Sequence, residues 1–141
     1  GQDNVDAAKD HPIYLPLARV ANLRKHSFAL QRGLQLNERF EADIAVFFRV
    51  YQKDDIAESV LVVLNKSDEQ KQVTVARYLS AGTWNDVFTG QPFALANDAA
   101  SLTLDVPAHG IRLLTLDGVV TNADAIAELN RLQARARRTT P

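Results

Sequence analysis

The sequence predicts a mainly β fold: an antiparallel sandwich of about seven or eight short strands, with one helix before it and one after it. The hydrophobic period changes from helical to two after Gly33, and becomes helical again near residue 122. The segments between are short and rich in β-branched and aromatic residues. Hairpin-length turn compositions such as KDD, NKSDEQ and PAHG separate them. Parallel strands would need helical crossovers, so the sheet pattern indicates an antiparallel sandwich or barrel.

The first helix is predicted over residues 12–32, after a polar lead-in. Pro12 and Pro16 suit a first helical turn, where a missing N–H costs nothing. Gly33 is a natural stop. The apolar stripe of this helix consists of Ile13, Leu17, Val20, Ala21 and Leu23.

Eight strands follow in the predicted order 34–40, 44–51, 59–65, 72–78, 84–88, 93–95, 101–106 and 110–116. The third, SVLVVLN, is nearly all apolar, which is typical of a central strand.

The tail, residues 122–138, is predicted to be helical. Thr121 and Asp124 resemble a capping box at its start. Its thin apolar stripe is formed by Ile126, Leu129 and Ala136, with Leu132 at the edge. Its C-terminal end carries Arg131, Arg135, Arg137 and Arg138, which the helix dipole tolerates well. We interpret these arginines as a solvated face rather than a binding site.

Composition excludes several classes of function. The chain has 141 residues, a formal net charge of −1 and no cysteine, so it suits one hydrophobic core without disulfides or thiolate metal sites. No basic excess is present to neutralise phosphates, and no apolar run is long enough to cross a bilayer. We therefore expect neither nucleic acid nor membrane as a partner. No signal peptide is visible, and the sequence does not indicate a cellular compartment.

No catalytic motif is visible. The three histidines, His11, His26 and His109, do not have metal-ligand spacing. No phosphate-binding glycine loop and no GxSxG elbow occurs. Most acidic residues lie in predicted turns, where solvation explains them. We expect no catalytic residue, no metal and no cofactor.

Two aromatic residues are candidates for carbohydrate binding. Trp84 is the one tryptophan, and its indole could stack on the apolar face of a pyranose. Tyr51, just before the QKDD turn, is a second candidate of the same kind. The alternative for Trp84, which we favour, is an anchor of the hydrophobic core.

Several segments resemble the α-amylase family, glycoside hydrolase family 13, in that family's order. The stretch PIYLPLARVANLRKHSFALQRG resembles the last helix of the catalytic barrel and its exit. VLVVLNKSDEQKQVTV resembles the central hairpin of the C-terminal domain, TWNDVFTG a second hairpin, and LTLDVPAHGIRLLTL the closing strand pair. Within the family, these motifs are similar to those of cyclomaltodextrinases and cyclodextrin glucanotransferases. The matching residues of the helix are Leu23, Arg24, Lys25, Ala29, Leu30 and Gly33.

The resemblance implies a Greek-key β-sandwich that packs against the catalytic barrel of a larger enzyme. Residues 1–33 would be the lead-in and last barrel helix, residues 34–118 the β-domain, and residues 119–141 a helical tail of open role. The family's catalytic carboxylates lie on barrel strands upstream, so none can be assigned to this chain, which should be inactive alone. The parent would be a glycoside hydrolase or glucanotransferase, and the resemblance favours a periplasmic or secreted location.

Three functions therefore stay open. The first is a non-catalytic domain that stabilises the barrel. The second is a carbohydrate-binding module that holds starch or cyclodextrin through Trp84 and Tyr51. The third is a protein-interaction module that uses its edge strands and basic helix. A barrel helix separated from its barrel would expose its apolar stripe, so we also expect self-association of the isolated chain.

Overall fold

The computed structural model describes residue 25, residues 27–53 and residues 55–139. Within this part of the chain lie eight strands and two helices. Residues 12–24 and 26, most of the first predicted helix, lie outside the described residues. The elements are α1 (Phe28–Arg32), β1 (Leu34–Phe40), β2 (Ile44–Lys53), β3 (Ile56–Asn65), β4 (Lys71–Val75), β5 (Gly82–Asp86), β6 (Pro92–Leu95), β7 (Leu102–Val106), β8 (Gly110–Asp117) and α2 (Ala123–Thr139).

The strands form two antiparallel sheets, which confirms the predicted sandwich. The large sheet has six strands in the order β1-β2-β3-β8-β5-β6, and the small sheet consists of β4 and β7. Neighbours β3 and β8, β5 and β8, and β4 and β7 are not consecutive in sequence. These three pairings are the crossover connections expected of a Greek-key sandwich.

The main core lies between the two sheets. The inner face of the large sheet contributes alternate residues of its strands, such as Val46, Phe48 and Leu61, and the small sheet contributes Val73 and Leu104. The two-stranded sheet is much narrower than its partner. Helix α2 packs against β1 and completes the second layer with Ala125 and Leu129.

Helix α1 begins at Phe28 because the predicted helix is interrupted at Ser27. Ser27 has extended backbone angles (φ −117°, ψ 116°), and its hydroxyl accepts a hydrogen bond from the Leu30 N–H at 3.1 Å. Glu58 on β3 binds the same helix start, because its carboxylate accepts hydrogen bonds from the Ser27 hydroxyl and the Ala29 N–H. A continuous helix through residue 32 was therefore a wrong prediction at Ser27, where a cap begins a new helix.

Helix α2 starts one residue later than expected, and its cap is Asn122 rather than Thr121. The Asn122 side-chain oxygen accepts the Ala125 N–H at 3.0 Å, which is the N-cap geometry. The Thr121 hydroxyl instead donates to Asp98 at 2.6 Å. The buried stripe includes Ala125 and Leu129, whereas Ile126 is 40% exposed.

Local turn chemistry explains why two strands end earlier than predicted. Strand β4 ends at Val75 rather than residue 78, and Tyr78 has a positive φ of 69°, which a strand cannot continue through. Strand β5 ends at Asp86 rather than residue 88. The Asp86 carboxylate accepts hydrogen bonds from the N–H groups of Phe88 and Thr89 and so forms a turn there.

Candidate functional site

Trp84, the first candidate for sugar stacking, lies in the main core. Its side chain is 1% exposed and makes an edge contact with Phe48, with 5.8 Å between ring centroids. Its indole N–H donates to the Ser80 carbonyl at 3.0 Å. Burial of this ring satisfies the polar N–H and leaves no free face for a pyranose. The alternative interpretation, an anchor of the core, is the one that the structure supports.

Asp86, the carboxylate nearest to Trp84 in the sequence, is also buried and hydrogen-bonded within the fold. It accepts a hydrogen bond from Arg112 Nε at 3.0 Å, in addition to the two turn N–H groups. Arg112 donates a further bond to the Asp105 carbonyl at 2.8 Å. Because both charges are buried and compensated, this pair is structural and offers no free acid or base.

Tyr51 lies at the surface of β2, on the other side of the large sheet. It is half-buried, and its ring stacks on Phe28 of α1, with 5.5 Å between centroids and 28° between planes. One face of the tyrosine is therefore covered by Phe28, which is itself 42% exposed. The structure does not bring Tyr51 and Trp84 together, since they lie on opposite faces of one sheet.

The side of the large sheet that faces away from the small sheet is here called the outer face. Its three central strands place an apolar surface there instead of the polar residues that normally face water. Four of its residues, Val62, Leu64, Ile111 and Leu113, form a cross-strand cluster over β3 and β8. The remaining members of the face are Phe47, Arg49, Tyr51, Val60 and Thr115, with Val87 and Phe88 beside them.

Among the described residues before β1, helix α1 covers part of the outer face. Within this helix, Ala29 is fully buried and Leu30 is half-buried. Two shallow depressions lie beside this helix. One, of about 310 Å³, is lined by Leu30, Gln35, Phe47, Arg49, Val62, Leu64, Ile111 and Leu113. The other, of about 260 Å³, is lined by Ser27, Leu30, Glu58, Val60, Val87, Leu113, Thr115 and Asp117.

Sequence reasoning did not single out the outer face, although a signal is present. Strands that bury only one face alternate apolar and polar residues. The segments IAVFFRVY, SVLVVL and IRLLTL carry apolar residues at both odd and even positions. This double pattern indicates a sheet with apolar residues on both faces, and a one-domain sandwich covers only one of them.

Two further carboxylates, Asp98 and Asp68, contact neighbouring side chains of the domain. The Thr121 hydroxyl and the Ala81 N–H both donate hydrogen bonds to the Asp98 carboxylate. These bonds lower the pKa of that carboxyl below its usual range. His109 contacts Asp68 at 2.7 Å, but both side chains are exposed. Among the described residues there is no cluster of three or more potential metal ligands, and no helix there is both long and apolar enough to span a membrane.

The sequence family described as "Maltogenic Amylase, C-terminal domain" matches residues 36–113. This range runs from β1 into β8 and includes every strand that builds the outer face. Solved structures of similar fold agree with this match. AmyP in complex with maltose superposes with a TM-score of 0.60 at 18% identity, over 74% of this chain and 20% of that one.

Two further structures are similar in the same way. The α-amylase from Geobacillus thermoleovorans in complex with acarbose gives a TM-score of 0.57 at 20% identity, over 72% of this chain and 22% of that one. The cyclomaltodextrin glucanotransferase CldA gives a TM-score of 0.51 at 27% identity, over 71% of this chain and 21% of that one.

The chain spans about a fifth of the length of these solved structures. What it shares with them is the fold of a β-domain over that fifth of their length. The family match covers more than half of the chain, and the fold agrees with it. The chain therefore belongs to the maltogenic amylase C-terminal domain family, the accessory β-domain of α-amylase-family enzymes.

Proposed function

We propose that this domain stabilises the catalytic barrel of a larger α-glucan-acting enzyme by packing its outer face against the barrel. The observation that carries the proposal is the apolar outer face of a sheet whose inner face already has a complete core. Phe47, Leu64 and Ile111 stay half-exposed there. A contiguous apolar surface of this kind is typical of an interface.

The position of α1 supports the same arrangement. Helix α1 contacts β2 and β3 on the outer face, immediately before β1. In the proposed parent, residues 1–33 would end the barrel, residues 34–118 would form the β-domain and residues 119–141 the helical tail. The parent would act as a glycoside hydrolase or glucanotransferase through residues outside this chain.

Direct glucan binding is the weaker alternative. Its best residue, Trp84, is buried, and Tyr51 is stacked on Phe28. Tyr51 alone, on a face that we assign to the barrel, gives no platform for a sugar chain.

The test uses Leu64→Asp in the longer enzyme and in the isolated 141-residue chain. A charge on the outer face should shorten the thermal-inactivation half-life of the longer enzyme strongly, because it would be buried at the interface. In the isolated chain the same side chain stays partly solvated, so the free energy of unfolding should fall much less.

Thr103→Asp is the matched control. Thr103 is exposed on β7 of the small sheet, where its hydroxyl and that of Thr74 are hydrogen-bonded at 2.9 Å, so this change should cost the same small amount in both proteins. An equal loss from Leu64→Asp in the two proteins would count against docking, since it would indicate a purely local effect.

A further inference from the structure

The outer face changes in polarity along its strands. The register of β1, β2, β3 and β8 arranges its side chains in cross-strand rows. The row nearest the turn between β1 and β2, here called the apolar row, consists of Phe40, Ala45, Leu64 and Ile111. Towards the other end lies the acidic row, which consists of Tyr51, Glu58 and Asp117. An apolar partner surface would dock most favourably over the apolar row, because it would leave the carboxylates in water.

Helix α1 and the apolar row lie at different ends of the outer face. Phe28 of α1 stacks on Tyr51, a member of the acidic row. In the apolar row, Leu64 and Ile111 are half-exposed and Phe40 is exposed. The apolar row therefore presents hydrophobic side chains to solvent in the part of the chain that the structure describes.

Phe40 is the most exposed aromatic side chain among the described residues, at 59%. It is the last residue of β1. Its ring is nearly parallel to that of Phe47, with 8° between planes and 6.2 Å between centroids. Phe47 lines the larger depression together with Leu64 and Ile111, so Phe40 continues that apolar surface to the edge of the sheet. Because the stacking already restrains the ring, its burial by a partner would cost little side-chain entropy.

We propose that Phe40 anchors the domain on the barrel, with its ring in an apolar pocket of the barrel surface and the apolar row under the contact. This inference rests on the proposed function, because it names the anchoring residue and the partner chemistry at that same face. The occupant is the rest of a longer chain, since the domain corresponds to about a fifth of the length of the solved structures that share its fold. Aromatic side chains that fill desolvated pockets contribute most of the free energy of binding at interfaces.

The acidic row has the chemistry of an interface rim. Glu58 and Asp117 are direct cross-strand neighbours, and both line the smaller depression. Interfaces combine an apolar centre with a polar, solvated rim. A contact centred on the apolar row would keep these two carboxylates at its border, where they would not have to leave water.

The experiment compares Phe40→Leu and Phe40→Ala in the longer enzyme, with the thermal-inactivation half-life as readout. We expect Phe40→Ala to shorten the half-life by about tenfold or more, because the pocket would lose its occupant. Phe40→Leu should shorten it less, since leucine still fills part of an apolar pocket. In the isolated chain both variants should unfold at nearly the wild-type urea concentration, because the ring is mostly in water there.

Ile126→Ala is the matched control. Ile126 is 40% exposed, and it lies on α2 beside Val50 of the inner face, away from the apolar row. This substitution also removes an exposed apolar side chain, but it should change the longer enzyme and the isolated chain by the same small amount.

Two results would overturn the inference. One is a Phe40→Ala enzyme that is as durable as wild type. The other is an increase in the urea midpoint of the isolated chain with maltoheptaose that Phe40→Ala removes, because the exposed ring would then be a platform for a sugar.

Leu64→Asp separates this inference from the proposed function. If Leu64→Asp shortens the half-life of the longer enzyme while the Phe40 variants do not, the outer face docks without Phe40 as its anchor. If neither does, both proposals fail.

Discussion

At the scale of single residues, a few buried polar side chains decide how the chain passes from the sandwich into α2. The Ser80 hydroxyl accepts the N–H groups of Thr121 and Asn122 at 3.0 and 3.2 Å. The Asn122 amide donates to the carbonyls of Leu79 and Asp98. These bonds satisfy backbone groups that would otherwise be buried without partners, and they hold the helix start against the sheet.

Trp84 gives the first prediction at this scale. Because the ring is 1% exposed, its fluorescence should be blue-shifted, and acrylamide should quench it poorly. Titration with maltoheptaose or β-cyclodextrin to millimolar concentration should leave the emission unchanged. A saturable change in the emission that Tyr51→Ala leaves intact would contradict the burial of this ring in the core.

Asp98 gives the second prediction, on acid stability. The pKa of its carboxyl lies below the ordinary value of 3.8 because the Thr121 hydroxyl and the Ala81 N–H bond the charged form. A lowered folded-state pKa stabilises the fold above the unfolded pKa, and this contribution is lost as the pH falls through the folded value. Wild type should therefore lose more stability below about pH 4 than Asp98→Asn does.

Urea midpoints from pH 7 to pH 2.5, about the range that contains the acid titration of carboxyls, measure this difference. Asp124→Asn, on the exposed first turn of α2, is the control for removing one surface carboxylate. Parallel midpoint curves for wild type and Asp98→Asn would contradict the assignment.

At the scale of elements, α2 takes the place of strands that the small sheet lacks. The inner face of the large sheet is six strands wide, but β4 and β7 cover only its middle. Leu129 of α2 is 8% exposed, and it closes the core beside Leu34 and Val50. The helix therefore belongs to the same hydrophobic core as the sandwich, although it lies beyond the family match.

A matched pair of substitutions in α2 tests this role. Leu129→Ala should lower the free energy of unfolding by about 2–4 kcal/mol, because a buried leucine leaves a cavity. Ile126→Ala, on the same helix but 40% exposed, should cost less than about 1 kcal/mol. Urea denaturation of the isolated chain measures both, and equal costs would mean that α2 is not part of the core.

Most elements could be predicted because the strand period and the turn residues agree with the final structure. The bounds of β1 match the prediction, and β2, β7 and β8 differ by two residues or fewer at each end. The helix starts were predicted wrongly where side-chain capping bonds, rather than the hydrophobic period, decide where a helix begins. Ser27 and Asn122 act as caps through contacts that depend on the fold, and Ser27 is held by Glu58, 31 positions away.

The site was harder to predict than the fold, for a physical reason. Trp84 and Tyr51 stand out by residue type, yet sequence alone does not say which side of a strand meets the core. The outer face is built from common aliphatic residues on three strands, and its meaning depends on their pairing. Only the assembled sheet shows that one apolar face remains after the core is complete.

At the scale of the whole molecule, the described residues form one finished core and a second apolar face on the other side of the large sheet. The inner layer holds Phe48, Trp84 and Leu104 with almost no exposure. Within the part of the chain that the structure describes, a helix of five residues covers part of the outer layer. An isolated domain would keep this surface in water, which also agrees with the expectation that the isolated chain self-associates.

The accessibility of position 64 tests this account most directly. The chain has no cysteine, so Leu64→Cys and Thr103→Cys each introduce one thiol into the isolated chain. The same changes are made in the longer enzyme, with any other cysteines replaced by serine. We predict that the thiol at position 64 is modified readily in dilute isolated chain and at least about tenfold more slowly in the longer enzyme, where the barrel would cover it. The thiol at position 103 should react equally fast in both. Equal reactivity at position 64 in the two proteins would contradict the central claim that the outer face docks on the barrel.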